Sequence, residues 1–412
     1  MKIALIFTYL HSTSGNVNVF LSLAIELQKL GNQVDVFTYY YDPEVCFPEL
    51  ANQLHIRYLK KVSTRGKNMS VTTLMSRVQA AVDYYIRTPN IFTLMKDSEY
   101  DLIFTGESCA YVPALKYKKI HNTPVVWSVF DPITLVDKAK PGSLVGKYPW
   151  FGKVLELHSN IDKKNIQKID KVIVPTHKMK KELDAFYGIE SLVFPTAGIH
   201  AEQYFTDHRE LAKKRLVRDC NFAPKNNFII LVHAHFQPHR RYEDIIDAVA
   251  LLSPARRAKV KLLISGNPNF DLPYYTSIEK KIKELDLEET IIIDPKYKSP
   301  EELVGYYQLS DVFVFVPIEQ TWGLAPFEAM ACQKPVILST GAGCAEVVKN
   351  EHDALIVPAM NPQELATSLE KLIGSSKIRR QLGKNGYQLA VSHFNYPKIA
   401  TQLTQLFKKL SA

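Results

Sequence analysis

Cysteine is scarce in this 412-residue chain, and its distribution excludes a disulfide framework. The five cysteines, at positions 46, 109, 220, 332 and 344, are odd in number, widely scattered and without a CxxC pair. They read as reduced thiols of a cytosolic protein. No apolar run approaches the roughly 20 residues that a membrane-spanning helix needs. The first ten residues carry one lysine and a short apolar stretch, but they lead into HSTSG without a cleavage-like site. They therefore read as a buried strand and not as a signal peptide, which makes the Asn68-Met69-Ser70 sequon a chance match. Internal repeats, low-complexity tracts and any Asp-x-Asp pair are also missing. So are DNA- or RNA-reading motifs, which argues against a nucleic-acid partner despite a net charge of +9.

What is present suits two domains of about 200 residues each. Hydrophobic residues make up 46% and charged residues 23%, ordinary for a globular chain with two cores. Strand and helix patterns alternate throughout, which predicts an α/β protein with parallel sheets. Short apolar runs at 2–7, 34–40, 102–105, 125–129, 171–175, 260–266, 290–294 and 312–316 read as buried strands. An amphipathic helix is expected over 19–30, closed by Gly31, and another over 399–410. The polar, charged stretch 198–224 is the expected join.

The densest information lies between Asp311 and Pro358: DVFVFVPIEQTWGLAPFEAMACQKPVILSTGAGCAEVVKNEHDALIVP. The order is strand, Gly-bearing turn, helix, strand, Gly-bearing turn, helix, strand. A helix over 324–332, with Pro326 in its first turn, leaves the amides of Gly323, Leu324 and Ala325 without intrahelical partners and adds the positive end of the helix dipole. A pyrophosphate would satisfy both, and Gly323 would let it come close. Glu328 has two readings: a carboxylate for the paired hydroxyls of a ribose, or the N3 residue of a capping box with Ala325 at the N-cap. Upstream, the apolar run 227–233 precedes AHFQPHRRYEDIIDAVALL, with Ile245, Val249 and Leu252 on one helix face. The histidines His233, His235 and His239 could suit a metal, but no cysteine or well-placed carboxylate supports one.

This pattern resembles the donor-sugar site of GT-B glycosyltransferases, specifically the retaining family four (glycosyl transferases group 1). The matching residues are Thr321-Trp322-Gly323-Leu324, Glu328-Ala329-Met330-Ala331, Pro335-Val336 and Gly343 to Glu346. The resemblance implies two Rossmann-like, doubly wound domains facing a central cleft. Residues 1–200 would bind the acceptor, with helix 396–412 packing back on them, and 201–395 would bind the nucleotide sugar. It also implies that His235 and Arg240 stand at the family's diphosphate-binding Arg and Lys positions. Gln320 stands at the first of the family's two glutamates, with Glu319 one residue early, and either would orient the sugar. Gly15 replaces a Gly-Gly turn and is expected at a positive φ near the donor phosphate. Asp131 lies beside the position where the family places a histidine, so Asp131 is the candidate ligand for the acceptor hydroxyl, with a plain turn as its alternative.

The expected activity is transfer of a hexose, mannose or glucose in type, from a GDP- or UDP-sugar to a hydroxyl of a saccharide or lipid-linked acceptor. Retention is expected, with neither metal nor cofactor. A non-catalytic nucleotide-sugar-binding partner of another transferase is one alternative. A GT-B relative such as a sugar phosphorylase or epimerase is another. Lys138, Lys140, Lys147 and Lys153 interleave with Tyr148, Trp150 and Phe151 without an acid. With Lys178, Lys180, Lys181 and the apolar face of a helix over 71–85, they would suit the surface of an anionic membrane. The chain is then expected on the cytoplasmic face, with a solvated loop and a core helix as the plainer readings.

Overall fold

The computed structural model describes residues 1–12, 14–63, 82–107, 109–130, 159–224 and 227–411. Asp131, the run 138–153, Asn68 and positions 71–81 lie outside them. The chain divides into two compact units, Met1–Ala197 with Tyr396–Ala412, and Gly198–Asn395.

The first unit is built on a parallel sheet of β1 (Lys2–Ile6), β2 (Tyr9–Leu10), β3 (Gln33–Tyr41), β4 (His55–Lys61), β5 (Leu102–Gly106), β6 (Val125–Ser128), β7 (Lys171–Val174) and β8 (Leu192–Val193). Its order is β2-β3-β1-β5-β6-β7-β8, with β4 paired to β3. Ile3 to Ile6 and Leu102 to Phe104 are fully buried, as continuous apolar runs in a sheet covered on both faces must be. Helix α1 (Gly15–Lys29) begins four residues before the expected start because the Ser14 side chain accepts the N–H of Val17 and caps it. Gly15 is the first helical residue and does not take a positive φ, which corrects the expectation of a left-handed turn there. Gly31 does take one, at +83°, and ends the helix. Also in this unit are α2 (Tyr111–His121), α3 (His177–Tyr187) and the terminal helix Tyr396–Ser411. The terminal helix buries Ile399, Leu403 and Phe407; the Phe407 ring lies 5.3 Å from Phe104, and Ser411 donates to the Asp101 carbonyl. Of the Lys178, Lys180 and Lys181 cluster on α3, Lys180 is paired with Asp184 at 2.7 Å.

The second unit has a parallel sheet ordered β11-β10-β9-β12-β13-β14. Its strands are β9 (Phe228–His233), β10 (Val260–Ser265), β11 (Ile291–Asp294), β12 (Val312–Phe315), β13 (Val336–Ser339) and β14 (Leu355–Val357). One core joins Val312, Val314, Ile230 and Ile264 to Ile245, Val249 and Leu252 from the segment that follows β9. Helix α4 (Arg209–Cys220) is tied to β11 by a buried ionic cluster. Arg215 donates to Asp294 at 3.0 Å, to Glu302 at 2.6 Å and to the Tyr297 carbonyl at 2.7 Å. Asp294 also receives Tyr306 Oη at 2.5 Å and pairs with Lys298 at 3.1 Å.

Candidate active site

Parallel sheets open a crevice where neighbouring strands send their connections to opposite faces, at the strands' carboxyl ends. In the second sheet the order changes direction between β9 and β12, and the segments after these two strands carry the motif residues. After β9, His233 Nδ1 lies 2.9 Å from Ser265 Oγ at the end of β10. His235 stacks on Phe270 with centroids 3.8 Å apart and planes 13° from parallel. Loss of solvent from the ring face stacked on Phe270, helped by the nearby Arg240 charge, lowers the pKa of the otherwise exposed His235 imidazole, so it is neutral at pH 7. Half-buried His233, desolvated and near the Lys298, His235 and Arg240 side chains, is held down to about 3. Among the described residues no group of three or more His, Cys, Asp or Glu side chains could hold a metal.

The turn Pro238–Arg240 then leads to Arg241, which takes φ +58° and pairs with Glu243 and Asp244 as the helix α5 (Tyr242–Ala250) begins. The Arg240 guanidinium sits 5.7 Å from the ring of Phe315, the last residue of β12. Ile318 N–H donates to the His239 carbonyl at 2.9 Å, which fastens the segment after β12 to the Arg240 turn. Arg240 and the 317–323 segment are thus neighbours, though about 80 residues apart in the chain.

Glu319 is exposed, whereas Gln320 is half-buried and pinned by its backbone. Its N–H donates to Gly341 and its carbonyl accepts from Gly343, forming a parallel bridge with Ala342. A Cβ on Gly343 would stand 2.1 Å from the Thr321 carbonyl oxygen, so the second glycine turn serves this close backbone contact. Gly323 has φ +122°, and a Cβ there would meet the Phe315 ring at 2.8 Å. That glycine is therefore required by the turn and by Phe315 packing. Trp322 packs against Phe327 and Phe394, and its buried Nε1 has no acceptor among the described residues.

Helix α6 (Ala325–Ala331) has Leu324 at its N-cap, with no side chain capping it. Pro326 is therefore its second residue and Glu328 its fourth, which corrects the N3 assignment and removes the capping-box reading. The Glu328 carboxylate instead accepts Tyr307 Oη at 2.6 Å and is also bonded by Tyr204. Tyr307 lies edge-on to His233 at 6.4 Å. Burial pushes the Glu328 carboxyl up, and the two phenol donors oppose that rise. Sequence reasoning missed Tyr204 and Tyr307 because no local pattern marks which tyrosine of a distant helix reaches a carboxylate.

It also missed Glu107. The first sheet changes direction between β1 and β5, and Glu107 directly follows β5. It takes φ +62°, its carboxylate accepts the N–H groups of Thr8 and Tyr9, and its carbonyl accepts Trp127 Nε1 at 2.8 Å. A non-glycine residue at positive φ is uncommon and costs strain that its surroundings must offset. Burial pushes its carboxyl up to about 8. The unfolded chain releases this proton near pH 4.5, while the folded chain keeps it to about 8. The stability that the group contributes is therefore full below pH 4.5 and is lost as pH rises to about 8. Thermal unfolding of Glu107→Gln should show the variant gaining on the wild type between pH 5 and 8.5. The gain expected is on the order of 2 kcal/mol, less than half of what the full shift would give because Glu107 is only half-buried and solvent screens it, and a flat difference across that range would refute the assignment.

Two family models match the chain: glycosyltransferase family 4 over residues 13–196 and glycosyl transferases group 1 over 214–389. D-inositol 3-phosphate glycosyltransferase of Corynebacterium efficiens is 24% identical over 411 residues, covering 96% of this chain and 91% of that one. Mannosylfructose-phosphate synthase of Agrobacterium fabrum is 22% identical over 413 residues, covering 96% and 86%. Among solved structures, sucrose-phosphate synthase of Thermosynechococcus elongatus superposes with a TM-score of 0.74 at 22% identity, over 100% of this chain and 99% of that one. Anabaena HepE, solved with UDP-glucose, gives 0.73 at 18% identity over the whole of both chains. The chain belongs to glycosyltransferase family 4, the group 1 glycosyltransferases, and it is an enzyme with the two parallel-sheet domains of the GT-B class.

Proposed function

We propose that this enzyme transfers a hexosyl group, mannose or glucose in type, from GDP- or UDP-sugar to a hydroxyl of a saccharide acceptor, with retention and without a metal. The observation that carries this reading is the convergence of Arg240, Gln320 and the uncapped start of α6 at the switch point of the second sheet. Glu328, the fourth residue of α6, is oriented by Tyr307. Charge develops on the β-phosphate as the glycosidic bond breaks. Arg240 and the amides of Gly323, Leu324 and Ala325 meet that charge, which is the largest electrostatic contribution such a site can make. His235, neutral before binding, donates a hydrogen bond to the diphosphate. Glu328, oriented by Tyr307, accepts from the ribose hydroxyls, and Gln320 or Glu319 orients the sugar. Gly15 borders the donor phosphate, Asp131 is the ligand for the acceptor hydroxyl, and the departing phosphate takes the acceptor proton from the same face. Three of the proteins named above, the D-inositol 3-phosphate glycosyltransferase and the mannosylfructose-phosphate and sucrose-phosphate synthases, by their names act on or make phosphorylated polyols and sugars, which supports a saccharide acceptor. The basic, aromatic run 138–153 favours one carried on a lipid at the cytoplasmic face of a membrane.

Incubation with a panel of UDP- and GDP-hexoses and saccharide acceptors, read by mass spectrometry, tests the proposal. NMR of the new anomeric centre follows, and chelator is included in one arm. The expected result is one α-linked product from an α-linked donor, unaffected by the chelator. A product of inverted configuration, or activity lost to chelation, would contradict it. Glu328→Ala should raise the donor KM about 10- to 100-fold, the range for a lost hydrogen bond to a charged group, and leave the acceptor KM near that of the wild type.

A further inference from the structure

His235 lies where the chain leaves β9, in a segment clamped against the one that leaves β10. Ala234 N–H donates to the Ser265 carbonyl at 3.1 Å, and Phe236 N–H donates to the Asn267 carbonyl at 3.3 Å. The Ala234 carbonyl accepts Tyr242 Oη at 2.5 Å. A Cβ on Gly266 would stand 1.8 Å from that same carbonyl oxygen, so only glycine lets the two segments come this close. Neighbouring residues of an extended segment face opposite ways. Phe236 is accordingly buried in a stack with Tyr242, while His235 is exposed. Beyond Asn267 the chain turns at once. The Asn267 side chain accepts the Asn269 N–H at 2.9 Å, and Asp271 accepts the Tyr274 N–H at 3.0 Å to open the helix Leu272–Glu284. Phe270 is caught between these two caps with its ring on the face of His235. At 51% exposure that ring adds little to any core. The His235 ring nitrogens make no hydrogen bond among the described residues. The stack thus fixes the plane of the imidazole and leaves its nitrogen edge free. Orientation matters more here than it would for an arginine. A guanidinium offers five donors and a permanent charge, whereas a neutral imidazole has a single N–H to aim.

We infer that Phe270 is a positioning residue for the transfer, its ring holding the His235 imidazole with the N–H edge toward the donor diphosphate. The inference rests on the donor reading above and adds the residue that orients His235. Phe270 acts through the imidazole and not on the diphosphate itself.

The test is a double-mutant cycle on the full chain, with wild type, Phe270→Ala, His235→Ala and the double variant, read by calorimetry with UDP and GDP. Phe270→Ala should weaken the preferred diphosphate about five- to tenfold, within the range of one net hydrogen bond, and Phe270→Tyr should restore most of that loss. In the His235→Ala background, Phe270→Ala should cost nothing further, because the group through which it acts is gone. A second readout needs no nucleotide: NMR of the His235 ring protons, assigned by their loss in His235→Ala. The phenyl ring current shifts them upfield in the wild type, and Phe270→Ala should remove that shift. The imidazole pKa should also rise toward its ordinary value of about 6.5, stopping short of it because Arg240 and His233 stay nearby. Independent losses that add in the double variant would overturn the inference and leave the donor reading standing. So would diphosphate binding that is unchanged in Phe270→Ala, or ring protons that do not move. A wild type that binds neither diphosphate would instead overturn the donor reading, and this role with it, whatever the ring protons do.

Discussion

Arg240→Ala should lower kcat for hexosyl transfer by about 10²- to 10³-fold, the range found when one preorganised donor is removed from a developing anion. The guanidinium is fixed by the turn Pro238–Arg240, by the Phe315 ring beneath it and by the backbone tie from Ile318 to His239. It is therefore in position before the reaction begins. Its neighbour His235 is neutral when the site is empty, so Arg240 carries the cationic role beside it. Arg240→Lys should recover part of kcat, because a point charge replaces the charge but not the planar fork. If the loss fell on KM for the acceptor with kcat unchanged, Arg240 would not be at the leaving group.

The second large effect is on stability. Arg215→Met should destabilise the second unit by about 3–5 kcal/mol, the range for breaking a buried ion pair from one side. The residue is 4% exposed, and its side chain bonds two carboxylates and a carbonyl. Removing it leaves Asp294, which is fully buried, and most of Glu302 without their main counter-charge. Both carboxyls are held below the usual carboxylate range by this arginine, against the opposing effect of their burial. The stability that they contribute is present above about pH 4, their unfolded value, and is lost as pH falls through their depressed native values. The wild type should therefore lose stability in acid faster than Arg215→Met does. Differential scanning calorimetry of both proteins from pH 3 to 7 would show it, and parallel curves would contradict it.

The two α/β units were legible in the sequence because strands buried on both faces are written as unbroken apolar runs, such as 312–315 and 102–104. The short β2 and the exposed β4 were not, since HIRYLKK shows neither such a run nor a clean alternation. Helix α1 began earlier than expected because its start is set by Ser14 capping and not by its apolar face. In the site, the motif around Gly323 located the switch-point residues, but not how two of them pack or are positioned. Gly323 clears Phe315, and Glu328 stands one residue past the capping position. The tyrosines that hold Glu328, and the carboxylate of Glu107, depend on tertiary neighbours that no local spacing encodes.

The measurement that bears most directly on the central claim is equilibrium binding of UDP, UMP, GDP and GMP to the wild-type chain and to Arg240→Ala. One nucleoside diphosphate should bind the wild type at least tenfold more tightly than its monophosphate, because only the diphosphate reaches both Arg240 and the start of α6, and that margin should disappear in Arg240→Ala. Equal affinities for mono- and diphosphates, or no nucleotide binding at all, would contradict the assignment of this switch point to a sugar nucleotide.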